Sequence, residues 1–306
     1  MLDALRGETA HSRRSPGGER SGRGSCSDRW LLGCLLMVGA LSLCGTARAA
    51  SPFESQATRT AREDALRSLP LDKLDANTRQ VVAGIVTRPS IFRRLPIQVI
   101  DCDPDLHQFM VQRPEVIVNI WSVMGISKVT IDRTGPGTYR ASDGAGTNGA
   151  IKYCYSGADS HLIYAEGTYE GPLFTKPIRA RCVLVLTYDS QQQPGGRNSI
   201  ANRLDAFIQV ENVGVELFAK TFQSIVNKSA DYNFAETAAF VSNVSRTAET
   251  NPAGMLRLAN KLQAVEPEVR QQFGQLMLGV AQKKADREAV RTSVGAASFA
   301  ERRANE

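Results

Sequence analysis

Hydrophobic and polar residues alternate through much of the middle of the chain, which is the pattern of β-strands with one buried face. The alternation is clearest in residues 178–189 and 203–211, where every second side chain is apolar. Short turns separate neighbouring segments, so consecutive strands are expected to pair antiparallel. The predicted strands are residues 95–102, 128–133, 138–142, 150–156, 161–169, 178–189 and 203–211.

Hydrophobic residues three and four positions apart predict helices on both sides of this strand region. Asp75 is placed to cap the second helix, and Asp103, followed by a proline, is placed to cap the third. Gly125 is placed to end the fourth helix. The predicted helices are residues 53–68, 75–86, 103–112, 114–124, 212–249, 254–262 and 267–284.

The longest predicted helix, residues 212–249, carries two apolar stripes that would face opposite sides of one straight helix. We therefore predict a kink or short break at residues 227–231, or else two burial partners. The first stripe would contact the sheet, and the second would contact the flanking helices. The stripes are Phe218, Phe222 and Ile225, and then Phe234, Ala238 and Val241.

The first 49 residues have the order of a secretory signal peptide. A basic, polar segment precedes an apolar stretch at residues 30–45, and Ala47 and Ala49 form an A-x-A cleavage site. The stretch is shorter than the roughly 20 residues that a membrane-spanning helix needs. We expect cleavage after Ala49 and export to the periplasm or the medium, with no stable membrane span afterwards. The alternative is an uncleaved N-terminal anchor.

Composition and charge exclude several classes of protein. The chain is 42% hydrophobic and 22% charged, which is typical of a globular protein and excludes a disordered or fibrous one. The formal net charge is +6, and half of it falls in residues 1–49. The remainder is only mildly basic and has no long basic run, so a nucleic-acid partner is not expected.

Three cysteines remain beyond the signal segment: Cys102, Cys154 and Cys182. The chain has no C-x-x-C pair, so a structural zinc site lacks its usual ligands. If the strands form a meander, one strand separates Cys154 from Cys182 and sets them about 9–10 Å apart. A disulfide needs Cα atoms within roughly 7 Å, so we predict that all three thiols are free.

Two stretches resemble the START-like (SRPBCC) superfamily, which has the helix-grip fold. DPDLHQFMVQRPEVIVNIW resembles its paired helices after the first strand, and RLDAFIQVENVGVELFAKTF its last strand and closing helix. The segments LPIQVIDCDPDL and RASDGAG are also similar to those of a group of uncharacterised bacterial secreted proteins. The resemblance implies an α+β fold whose curved antiparallel sheet of six to seven strands grips a long C-terminal helix. An ordinary α+β sandwich is the alternative.

The expected organisation places this domain between extra helices at both ends. The START-like domain would span residues 93–250, and the tail would be frayed or disordered. The expected segments are 1–49 as signal peptide, 50–92 as N-terminal helical extension, 93–250 as START-like domain, 251–284 as C-terminal helices and 285–306 as tail.

The resemblance also implies an apolar pocket between the sheet and the long helix, holding a hydrophobic small molecule or lipid. We expect no cofactor. The expected pocket residues are Cys182, Leu184, Leu186, Ala206, Ile208, Phe218, Phe222 and Ile225. His161, Tyr164 and Glu166 are the polar candidates, because such a cluster could orient a carbonyl ligand or move a proton. Cross-strand packing on the outer face of the sheet is the alternative.

No catalytic residue and no metal site is assigned from the sequence. His107 follows two aspartates, but we expect it at the surface, with the aspartates stabilising the start of their helix. The D-x-D-x-D pattern at Asp101 is not a calcium loop, because Leu106 stands where such a loop needs glycine. The favoured function is an exported ligand-binding module. The alternatives are a structural or interaction protein of the cell envelope and a cyclase-type enzyme.

Overall fold

The structure is a computed structural model that describes residues 52–170, 176–211 and 223–304. Side chains are described for residues 58–170, 176–211 and 230–293. The predicted signal peptide, Phe218 and Phe222 lie outside the described residues, and so does the side chain of Ile225.

The described chain forms an antiparallel, curved and unclosed sheet with helices on both faces, which confirms the predicted α+β class. The spatial order is β1, β8, β7, β6, β5, β4, β3, and β2 also pairs with β8. The strands are β1 (Ile91–Arg94), β2 (Gln98–Asp101), β3 (Thr130–Gly135), β4 (Thr138–Ser142), β5 (Thr147–Ser156), β6 (Ser160–Tyr169), β7 (Ile178–Gln192) and β8 (Asn198–Glu211). The helices are α1 (Pro52–Arg67), α2 (Ala76–Thr87), α3 (Pro104–Gln112), α4 (Pro114–Val123), α5 (Gln223–Thr250), α6 (Pro252–Ala259) and α7 (Pro267–Ala304).

The predicted helix ends are confirmed by their local hydrogen bonds. The Asp75 side chain accepts a hydrogen bond from the backbone N–H of Thr78 at the start of α2. The Asp103 carboxylate accepts from two backbone N–H groups at the start of α3, where Pro104 occupies the first helical position. Gly125 follows α4 with φ of 66°, a conformation that glycine adopts without strain.

The first predicted strand, residues 95–102, is wrong in its bounds. The structure has two short strands, β1 and β2, separated by Leu95, Pro96 and Ile97. Both pair with β8, which begins at Asn198. Proline has no N–H to donate to a ladder, so the edge strand divides at Pro96.

Strands β6 to β8 bury both of their faces, whereas the alternation predicted one buried face. Leu162, Val183 and Phe207 point to the outer face, and α1 and α2 cover them. The covering side chains include Val82 and Ile85, which are fully buried. The N-terminal helices therefore form a second apolar layer against the outer face of the sheet.

A buried aspartate lies in this outer layer and is neutralised by an arginine. Asp205 is 1% exposed, and Arg94 donates to both of its carboxylate oxygens, at 2.7 and 2.9 Å. Arg94 also pairs with Asp64 of α1 and thereby lowers the pKa of that carboxyl group. The ion pairs join α1, β1 and β8.

The inner, concave face of the sheet is covered by α5, which packs in turn on α3, α4, α6 and α7. Lys283 of α7 donates to both Asp103 and Asp105 at the start of α3, at 2.7 Å each. Helix α7 continues to Ala304, through the part of the chain where the sequence indicated a frayed or disordered tail.

Helix α5 is unbroken between Gln223 and Thr250, so the predicted break at residues 227–231 is absent. The helix instead has two burial partners along its described part. Phe234 packs against the sheet, not against the flanking helices as predicted. Val241 lies in the cluster that the helices form.

The meander order is as predicted for the cysteines: β6 lies between the strands of Cys154 and Cys182. No disulfide joins any two of the three cysteines in the described part of the chain. Cys102 and Cys182 are buried, and Cys154 is half-buried.

Candidate functional site

A cavity of about 240 Å³ lies between the concave face of the sheet and α5. Helices α3 and α4 close one side of it, and strands β3 to β8 form the floor. Most of the side chains that line it are aliphatic. Examples are Ile117 and Val118 of α4, Ile151 and Leu184 of the sheet, and Ala238 and Val241 of α5.

No aspartate, glutamate, lysine or arginine is among the described residues that line the cavity. The described polar lining residues are His107, Tyr153, Asn202, Asn233 and Thr237. The cavity thus offers a ligand apolar contacts and a few neutral hydrogen-bonding groups.

The strand residues predicted for the pocket all lie on the concave face, as their alternation indicated. Leu184 and Leu186 line the cavity. Cys182, Ala206 and Ile208 belong instead to the adjacent apolar cluster between the sheet and α5. These three residues support the cavity floor without lining the cavity.

The three polar candidates from β6 are not brought together. His161 is fully buried on the concave side, where its ring packs edge-on against that of Tyr153. Tyr164 and Glu166 lie on the outer face, and the Tyr164 hydroxyl donates to Glu166 at 2.7 Å. Successive side chains of a strand point to opposite faces, so residues 161 and 164 cannot share one. The alternation of strand side chains already indicated that these residues lie on different faces, so grouping the three together was wrong.

His107 is at the cavity and not at the surface, which corrects the expectation from the sequence. It is 3% exposed and lines the cavity. It lies on the buried side of α3 with Leu106 and Met110. The helical spacing of those two apolar residues was the available signal, because His107 shares their face.

Asn202 of β8 determines which ring nitrogen of His107 carries the proton. The Asn202 amide nitrogen donates to the backbone carbonyl of Ile200, which directs Oδ1 towards His107. His107 Nε2 lies 2.7 Å from that oxygen and therefore donates to it. Burial lowers the pKa of His107, opposed by this hydrogen bond, so the ring is neutral at pH 7.

A chain of aromatic rings runs from His107 across the sheet. Its rings contact in the order His107, Tyr188, His161, Tyr153 and Tyr139, with centroid separations of 4.6, 5.8, 6.2 and 6.0 Å. The hydroxyls of Tyr153 and Tyr139 donate to backbone carbonyls at the end of α3, at 2.6 and 3.1 Å. These hydrogen bonds hold the C-terminal end of α3 against the sheet at one end of the cavity.

The two buried histidines make the stability of the protein depend on pH. Burial, and then the proximity of His107, lower the pKa of His161 to about 4. Between pH 6.5 and about 4 the unfolded chain binds a proton at residue 161 that the folded chain does not. The free energy of unfolding therefore falls as the pH falls through this range.

We predict that His161→Phe reduces the loss of unfolding free energy between pH 7.5 and pH 5 by roughly 2 kcal/mol. Phenylalanine keeps the stacked ring against Tyr188 but cannot be protonated. Urea unfolding of both proteins at both pH values measures the difference. An identical pH dependence in the two proteins would contradict the prediction.

No family model and no curated protein sequence matches this chain. Among solved structures it is similar to a conserved protein from Geobacillus kaustophilus, with 10% identity and a TM-score of 0.32, over 49% of this chain and 93% of that one. It is similar to the di-domain ARO/CYC BexL of the BE-7585A biosynthetic pathway, with 14% identity and a TM-score of 0.33, over 63% and 61% of the two chains. It is also similar to dicamba monooxygenase bound to dicamba, with 12% identity and a TM-score of 0.33, over 66% and 62%.

These matches leave the function to be argued from the cavity itself. No helix in the described part of the chain is long and apolar enough to cross a membrane. Within the same residues, no three histidine, cysteine or acidic side chains are grouped as a metal ion would require.

Proposed function

We propose that this protein binds a hydrophobic small molecule in the cavity between the sheet and α5. The observation that carries the proposal is the cavity of about 240 Å³, with its aliphatic lining and no charged side chain among the described lining residues. Protein interiors are close-packed, and their natural voids are seldom much larger than a water molecule. A concave, mostly apolar pocket with a few neutral polar groups is the usual form of a small-molecule site, and a binding role accounts for the one seen here.

A catalytic role for His107 is less well supported than a binding role. A general base needs an accessible ring nitrogen next to the reacting group. Nε2 of His107 is bonded to Asn202, and Nδ1 is buried with no hydrogen-bond partner in the described structure. The cyclase-type alternative therefore ranks below ligand binding.

We also propose that residues 93–250 form a START-like unit and that the protein acts outside the cytoplasm after cleavage following Ala49. The support is the signal-like order of residues 1–49 and the long helix α5 on the concave face of the sheet. N-terminal sequencing of exported protein tests the second part. A sequence that starts before Trp30 would contradict it.

Native mass spectrometry of the protein purified from the cells that make it tests ligand binding. We expect a bound, apolar compound on the wild type, and its loss in Leu184→Trp, because the larger side chain fills the cavity that Leu184 lines. The matched control is Val99→Trp on β2, where the side chain is 65% exposed and does not line the cavity. That variant should keep the compound. Wild-type protein that carries no compound would contradict the proposal and favour an envelope-interaction role.

A further inference from the structure

The polar residues of the cavity differ in whether their side chains already have partners. The Tyr153 hydroxyl donates to the carbonyl of Val111, and His107 is bonded to Asn202. The Thr237 hydroxyl donates to the backbone carbonyl of Asn233 in the preceding turn of α5. In all of these side chains a polar group is already committed to a protein partner.

Asn233 is the exception. It is 5% exposed and lines the cavity from α5. Its carboxamide makes no hydrogen bond to any described residue; only its backbone carbonyl is used, by Thr237. A carboxamide offers two N–H donors and one acceptor oxygen, and a buried one is normally paired. Asn233 thus differs from the other polar lining residues in that its whole side-chain amide has no described partner.

The charged side chain nearest before Asn233 in the chain is already paired. Asp231 is two positions before Asn233, and Arg93 of β1 forms an ion pair with its carboxylate. The described cavity lining has no charged side chain that could neutralise a charged ligand, and His107 is neutral because burial lowers its pKa. Burying a charge without a partner is strongly unfavourable, so a neutral ligand fits this site.

We propose that the Asn233 carboxamide is the recognition group for a single hydroxyl or carbonyl oxygen on a neutral, compact, otherwise apolar ligand. The inference rests on the proposed function and specifies its ligand class. The cavity volume of about 240 Å³ lies at the lower end of the range of small-molecule sites, which favours a compact ligand such as a small fused-ring molecule. An oxygen on such a ring system would pair with Asn233 while the rings contact the aliphatic walls.

The test compares 2-naphthol with naphthalene, which differ by one hydroxyl, as probes of the full-length protein and of Asn233→Leu. Leucine is close to asparagine in size but offers no hydrogen bond. We expect the affinity ratio of naphthol to naphthalene to fall at least about tenfold in Asn233→Leu, because the hydroxyl is then buried without a partner. Fluorescence titration of each probe gives the two dissociation constants.

Thr237→Val is the matched control, since the Thr237 hydroxyl lines the same cavity but is bonded to its own helix. It should leave the ratio within about threefold of the wild-type value. Retained naphthalene binding shows that Asn233→Leu is folded, and Asn233→Ala provides a second variant if it is not. The recognition role would be overturned if the affinity ratio of naphthol to naphthalene were unchanged in the folded Asn233 variant. It would also be overturned if Thr237→Val changed that ratio equally. Failure of both probes to bind the wild type would overturn the proposed function, and this inference with it.

Discussion

Replacing Phe207 with alanine is expected to lower the free energy of unfolding by about 3–5 kcal/mol. Phe207 is fully buried on the outer face of β8, beneath α1 and α2. Its ring lies 4.9 Å from that of Phe92, centroid to centroid. Truncation would leave a cavity between two layers that are held in place by other strands and helices, so the site has little freedom to collapse.

Urea unfolding at pH 7.5 measures this loss. The control is Val99→Ala on β2, where the side chain is 65% exposed and the expected loss is within about 0.5 kcal/mol. A loss below about 1 kcal/mol for Phe207→Ala would show that α1 and α2 do not pack on the sheet as a stable layer. The result therefore also tests whether the N-terminal helices belong to the folded core.

Replacing Arg94 with methionine is expected to cost about 3 kcal/mol of unfolding free energy. The guanidinium group donates two hydrogen bonds to Asp205, which is 1% exposed. Removing one partner of a buried ion pair leaves the other charge without compensation, which costs more than the pair itself contributes. Among the residues that the structure describes, Arg203, at 3.7 Å from the Asp205 carboxylate, would remain to offset the charge.

A second substitution separates the lost pairing from lost packing. In the Arg94→Met background, Asp205→Asn removes the unpaired charge and should recover at least about 1 kcal/mol of the loss. The contrasting pair is Arg181 with Glu211, whose side chains are both 42% exposed. Glu211→Gln should change stability by less than about 0.5 kcal/mol. If Arg94→Met lowers the free energy of unfolding by no more than Glu211→Gln does, then Asp205 is not buried as a charge.

Local features of the fold could be predicted because their causes are local. Asp75 and Asp103 cap α2 and α3 through backbone groups two or three residues away. Alternation in β7 and β8 placed Leu184 and Ala206 on the concave face. The separation of the cysteines followed from the same meander.

Features that depend on distant packing were missed. The burial of the outer face depends on α1 and α2, whose contact with β8 joins parts of the chain more than 100 residues apart. The same packing makes Phe207 a core residue although it lies on the polar side of the strand's alternation. The site was predicted in the same uneven way: Leu184 and Leu186 follow from the strand period, but His107 and Asn233 do not.

The amino-acid sequence alone determined the fold class, the meander of strands and the apolar concave face, because hydrophobic period and capping act within a few residues. Only the tertiary structure decided where the cavity lies and which polar groups reach it. His107 and Asn202 are 95 positions apart and meet at the cavity wall, where the carboxamide oxygen of Asn202 accepts from His107 and thereby sets the tautomer of the ring. Asn233 is an ordinary helix residue in sequence. It becomes a candidate recognition group because α5 packs over the sheet and leaves its carboxamide without a hydrogen-bond partner among the described residues.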